Sequence, residues 1–121
     1  MTSRKNWLNS TGTCKAVDGE YFSYHQQMTE HYKGYILFDS GYWSRTTRKH
    51  QSLIRNFIGY NTIDLVHANF NKGAEYSIKN EINCLTSELE ERLTKRKTST
   101  NKMIINYIEK KIYTLKRILA E

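Results

Sequence analysis

Tyr42-Trp43-Ser44-Arg45-Thr46-Thr47-Arg48-Lys49-His50-Gln51-Ser52-Leu53-Ile54-Arg55-Asn56-Phe57-Ile58-Gly59 decides how this chain folds. His50, Leu53, Ile54 and Phe57 recur at intervals of three, one and three, which is one apolar stripe of a helix. Arg45, Arg48, Lys49, Ser52 and Arg55 take the opposite side. Ser44, Thr46 or Thr47 supplies the helix cap, and Gly59 stands where a helix ends. The segment carries four cations and no acid, so its positive charge has no local partner.

On either side the sequence reads as strands. Tyr21 to Met28 is rich in aromatics and partly alternates. Tyr35-Ile36-Leu37-Phe38 follows a turn around Tyr32-Lys33-Gly34, and the two runs read as an antiparallel pair. Asp39-Ser40-Gly41 is a second turn. Beyond the helix, Thr62 to Ala68 places Ile63 and Leu65 on one side, as in another strand. Strands flanking a single helix do not support a helix-turn-helix, which needs a second helix after a tight turn. Residues 1–20 are polar and read as an irregular arm, pinned by Trp7 and Leu8.

After Asn71-Lys72-Gly73 the period changes. Ile78, Ile82, Leu85, Leu89 and Leu93 form one helical seam; Ile104, Ile108, Ile112, Leu115 and Leu119 form another. The break Thr98-Ser99-Thr100-Asn101 caps the second helix and is too short for anything but an antiparallel hairpin. Ile105, Tyr113 and Ile118 widen the second stripe beyond one partner's need. They mark either a dock on the sheet or a homodimer interface. Glu75, Glu81, Glu88, Glu90 and Glu91 read as a solvated face. The expected fold is α+β: a small antiparallel sheet on one short helix in residues 21–70, then a helical hairpin in 74–121.

Composition narrows the function. Hydrophobic residues are 38% of 121, so the core is small, but nine Tyr, four Phe and two Trp each bury a large ring. The net charge of +7 is shared: nine cations against five acids before residue 74, ten against seven after it. A basic surface of this kind meets polyanions. Cys14 and Cys84 lack metal or redox spacing and read as free thiols. Met1-Thr2-Ser3-Arg4-Lys5-Asn6-Trp7 lacks the apolar core of a secretory signal, and no apolar run approaches membrane-spanning length. A cytoplasmic protein without membrane contact is expected.

Tyr21-Phe22-Ser23-Tyr24-His25, Gly34-Tyr35-Ile36 and Tyr42-Trp43-Ser44-Arg45-Thr46-Thr47-Arg48-Lys49-His50 together resemble a pattern in small uncharacterised phage proteins. There an F-S-Y strand precedes a short hairpin and an S-x-T-T-x-x-H helix start. The resemblance covers residues 21 to 58, and Gln26 departs from it where members often carry Thr. It implies a phage or mobile-element origin and action in a bacterial cytoplasm. It also implies a binding role, on nucleic acid or on a host defence system.

Three functions follow. The first is a non-enzymatic binder whose face of Tyr42, Trp43, Arg45, Arg48, Lys49 and Arg55 contacts nucleic acid or a nucleoprotein complex. Arg pairs with phosphate in bidentate fashion, and the rings stack on bases. The second is an inhibitor that binds a host defence protein. The third is a small nuclease with His50 as its base, beside Arg48 and Lys49. On the apolar stripe, however, His50 reads as a half-buried residue bonded to a strand backbone. A metal-dependent nuclease would need converging carboxylates such as Asp39 and Asp64, and nothing in their spacing demands that they meet. His25, His31, His50 and His67 lack ligand spacing, so no metal and no cofactor is expected.

Overall fold

A computed structural model describes residues 5–121. Four strands, β1 (Lys5–Trp7), β2 (Cys14–Val17), β3 (Glu20–Ser23) and β4 (Gln26–Gln27), make an antiparallel sheet in that order. A second sheet has the order β5 (Thr29–Tyr32), β6 (Tyr35–Asp39), β7 (Ile63–Leu65). Helix α1 (Arg45–Ile58) lies between β6 and β7. A 3-10 turn (Phe70–Lys72) leads into α2 (Ala74–Leu93) and α3 (Ser99–Ala120). The fold class is α+β, as the sequence predicts.

The expected irregular arm is a correction: from residue 5 on it supplies two strands, while residues 1–4 of that arm lie outside the described residues. Val17 pairs with Glu20, so Asp18-Gly19 is a two-residue hairpin turn. Both turn residues have positive φ, 51° and 86°, as this turn requires. Lys33-Gly34 turns β5 into β6 in the same way, with Tyr32 opposite Tyr35. The partner of β6 is therefore Thr29–Tyr32, not the Tyr21–Met28 run, which is itself broken into β3 and β4. The sheets are antiparallel except where β7 joins β6 in parallel, a pairing that only a crossover such as α1 permits.

Neighbouring residues of β6 serve opposite faces. Leu37 packs with Leu65, Phe70, Ile78, Ile82, Leu85, Ile108, Leu115 and Ile118, the core beneath the hairpin. Phe38 packs with Cys14, Met28 and Ile54, the core beneath α1. The second sheet is thus the middle layer between α1 and the hairpin.

Both seams end short of their predicted reach. Leu93, the last residue of α2, is 61% exposed. Phe57 is 62% exposed, at the end of α1, with its ring centroid 6.5 Å from that of Tyr21. Thr98 caps α3, its hydroxyl oxygen accepting from Asn101 N at 3.1 Å. The Asn101 amide donates to Arg92 O and Arg96 O, closing the hairpin loop.

Two further expectations are corrected by packing. Glu81 is not solvated but fully buried, accepting from Val66 N at 3.0 Å and His67 N at 2.7 Å. Ile118 is likewise fully buried within its own chain, so no interface can use it. Ile105 stays half-buried and Tyr113 exposed.

Candidate nucleic-acid interface

Ser44 sets where α1 begins. Its backbone is extended and its Oγ accepts from Thr47 N at 3.1 Å. That start fixes the rotation of the helix. Thr47, His50, Gln51 and Ile54 turn inward, while Arg45, Arg48 and Lys49, three and four residues apart, share the exposed side. Among the described residues no carboxylate stands within ion-pair distance of any of the three.

Tyr42 and Trp43 lie beside them in solvent, 72% and 51% exposed. Arg48 sits over the Tyr42 ring at 5.7 Å, a cation–π contact that holds both at the surface. Trp43 is fixed from below. Its indole N–H donates to Asp39 Oδ2 at 2.8 Å, and Gly41 N donates to Asp39 Oδ1 at 3.0 Å. The Gln51 amide donates to Asp39 O and Gly41 O, locking the same loop to the inner face of α1.

Arg55 departs from this group. Two helical turns after Arg48, periodicity puts it on the same side, but β7 runs alongside the end of α1. There Arg55 bonds Asp64 Oδ2 at 3.0 Å, Thr62 Oγ1 at 2.7 Å and Gly59 O at 3.1 Å. Its guanidinium stacks over Phe38 at 4.2 Å. It is a tie between helix and sheet, with its charge already matched. Asp64 is opposite Phe38, whereas Asp39 is opposite Leu65, so the two carboxylates project from opposite faces and do not converge.

His50 is 5% exposed. Its Nδ1 lies 2.6 Å from Ser23 Oγ, and Ser23 Oγ donates to Thr47 Oγ1 at 3.1 Å. Having given its one proton to Thr47, Ser23 must accept from His50, so Nδ1 carries the hydrogen. Nε2 then accepts, facing Thr13 Oγ1 at 3.3 Å and the Asn9 amide nitrogen at 3.4 Å. Burial holds the imidazole below its ordinary pKa, which keeps it neutral. The expected bond to a strand backbone is thus a bond to a side chain. A Ser–His pair this close is within reach for catalysis, but Ser23 is 1% exposed and the Tyr24 ring covers the imidazole at 5.3 Å. Ser23, Thr47 and His50 therefore meet as one buried network beneath α1.

Among the described residues no group of three His, Cys, Asp or Glu is placed to hold a metal ion. His31 bonds Glu20 at 2.9 Å and His25 is exposed in the β3–β4 turn, so the two do not form a pair. Both cysteines are free thiols. No helix is long and apolar enough to cross a membrane, among the described residues.

Burial pushes the Asp39 carboxyl up from 3.8 to about 6, although the Trp43 and Gly41 bonds oppose the rise. The folded state then holds this proton more tightly than the unfolded chain. The stability it contributes is full below pH 3.8 and is lost as pH rises toward about 6. Asp39→Asn cannot titrate. The stability of the native protein minus that of the variant should fall by about 2.5 kcal/mol between roughly pH 4 and pH 7. The opposite drift from His50 is common to both proteins and cancels. Urea titrations across that range read the difference, and a flat difference would mean that Asp39 titrates normally.

The structure thus places Tyr42, Trp43, Arg45, Arg48 and Lys49 of the six candidate residues together on one surface, and Arg55 apart from them. The sequence pattern missed Tyr76, 41% exposed, which lines a cleft with Tyr42 and Trp43. Its only sequence signal is its place just after the Asn71-Lys72-Gly73 break. No protein-family model matches the chain, and no curated protein or solved structure is significantly similar to it.

Proposed function

We propose that the protein is a phage-type binder, acting in a bacterial cytoplasm, that contacts nucleic acid or a nucleoprotein complex through Tyr42, Trp43, Arg45, Arg48 and Lys49. One observation carries the reading: three cations without acidic partners stand beside two large rings left in solvent. Rings of this size ordinarily withdraw into a core or find a partner. Unmatched cations attract phosphate, and exposed rings offer base-stacking surfaces. The net charge of +7 favours the same encounter from a distance.

Fluorescence anisotropy with a labelled oligonucleotide tests it. Affinity should fall steeply with salt, because each neutralised phosphate releases counterions. The triple change Arg45→Ala, Arg48→Ala, Lys49→Ala should lower the slope of log affinity against log salt by about 2–3. Stability should move by about 0.5 kcal/mol or less per site, since all three side chains are exposed. A slope that the triple change leaves intact sinks the reading.

The second reading, an inhibitor that binds a host defence protein, has its own support. Met103, Tyr107 and Tyr113 stand exposed on α3, a different element from the one that carries the basic face. A protein partner held there would bind with mild salt dependence and be indifferent to the triple change.

A further inference from the structure

The carboxyl ends of the parallel strands β6 and β7 open into a cleft of about 320 Å³. In open sheets with parallel strands, ligands sit in the crevice outside those ends, where the loops diverge. Small-molecule sites start at about 300 Å³, so the space suits a planar heterocycle. Tyr42 and Trp43 come from the loop after β6, His67 and Asn69 from the chain after β7, and Tyr76 and Asn80 from α2. At its back the backbones press together: a Cβ on Gly41 would collide with the Val66 carbonyl oxygen.

Three features point to one kind of occupant. First, all three rings are partly in solvent, and Trp43 is held there by a fully buried carboxylate. Burying Asp39 fixes the position of a ring that adds little to the core, so the arrangement serves the cleft and not the packing. Second, a cation lies over each outer ring: Arg48 over Tyr42 at 5.7 Å and Lys72 over Tyr76 at 5.0 Å. Neither has an acidic partner among the described residues. Third, the Asn80 amide nitrogen donates to His67 O at 3.0 Å, which fixes its orientation and leaves its oxygen to accept from a ligand.

We propose that this cleft takes one unpaired nucleobase, so that the ligand of the basic face is single-stranded nucleic acid. The base stacks against the rings and is bonded by the Asn69 and Asn80 amides, with its flanking phosphates on Arg48 and Lys72. A duplex hides the faces of its bases in its own stack; only an unpaired base presents a face to a ring. This inference rests on the nucleic-acid reading of the α1 face.

The test measures binding of a labelled mixed-sequence single strand and of its duplex, at several salt concentrations. The single strand should bind more tightly. Tyr76→Ala should lower single-strand affinity roughly 5- to 150-fold, the range for loss of one base stack. It should leave duplex affinity and the salt slope unchanged, because no phosphate contact is lost. Tyr76→Phe should restore the affinity. Tyr42→Ala, at a more exposed ring, should likewise lower single-strand affinity and serves should Tyr76→Ala fail to fold. Equal affinity for both forms, with neither ring variant changing it, overturns the cleft; salt-dependent binding that the triple cation change still weakens would then leave the basic face standing. Salt-independent binding, or none to either form, overturns both.

Discussion

Glu81→Ala is expected to cost about 3–5 kcal/mol, the range for removing one partner of a buried ionic arrangement. Glu81 is fully buried, and each carboxylate oxygen accepts a backbone N–H, from Val66 and from His67. Lys111 Nζ approaches Oε2 at 3.7 Å with its side chain 16% exposed. Alanine leaves two backbone donors without the acceptor they have in the fold, and an ammonium without its counter-charge. A domain of this size has about 5–15 kcal/mol in total, so the loss is a large part of it. Glu81→Gln keeps one acceptor but turns an N–H₂ toward a backbone donor, and should fall between the two. Urea denaturation checks it through the midpoint. A midpoint for Glu81→Ala near that of the native protein would show that these bonds are replaced by water.

The same residue shows where sequence reading stops. Ile78, Glu81, Ile82 and Leu85 fall three, one and three apart, so spacing alone put Glu81 on the seam. Its charge argued for solvent, and charge misleads where a strand end presents unpaired N–H groups to the helix. That need arises between β7 and α2, which no local pattern encodes. Arg55 failed for the same reason: its helical face is right, but Asp64 arrives from another strand. The first strands failed differently. Asp18-Gly19 is a strong hairpin signal, yet the polar residues around it outweighed it, because β1 and β2 have few apolar positions to alternate. By contrast α1, with its Ser44 start and Gly59 end, and both hairpin helices were legible, since cap and period are local. The candidate site was legible to the same extent. Residues on α1 and the loop before it were found; the far wall at Tyr76 and Asn80 was not, because it is made by tertiary contact.

Ile118→Lys is expected to abolish folding, whereas Tyr113→Lys is expected to be tolerated. Both residues belong to the apolar surplus on α3, and from the sequence they are equivalent. In the structure Ile118 is completely buried against Leu37, Leu115 and their neighbours, while Tyr113 is 69% exposed. Lysine at 118 forfeits about 1.5–3 kcal/mol of side-chain burial. It also places an unpaired ammonium in the core, which costs several kcal/mol more even after relaxation. Together these approach the whole stability of the domain. Lysine at 113 merely exchanges one exposed side chain for another, within about 0.5 kcal/mol. Circular dichroism at low temperature, followed by a thermal melt, separates the two outcomes. A folded Ile118→Lys protein with a native melt would mean that α3 presents this residue to a second chain and not to the sheet, and the single core shared by β6, β7, α2 and α3 would then be wrong.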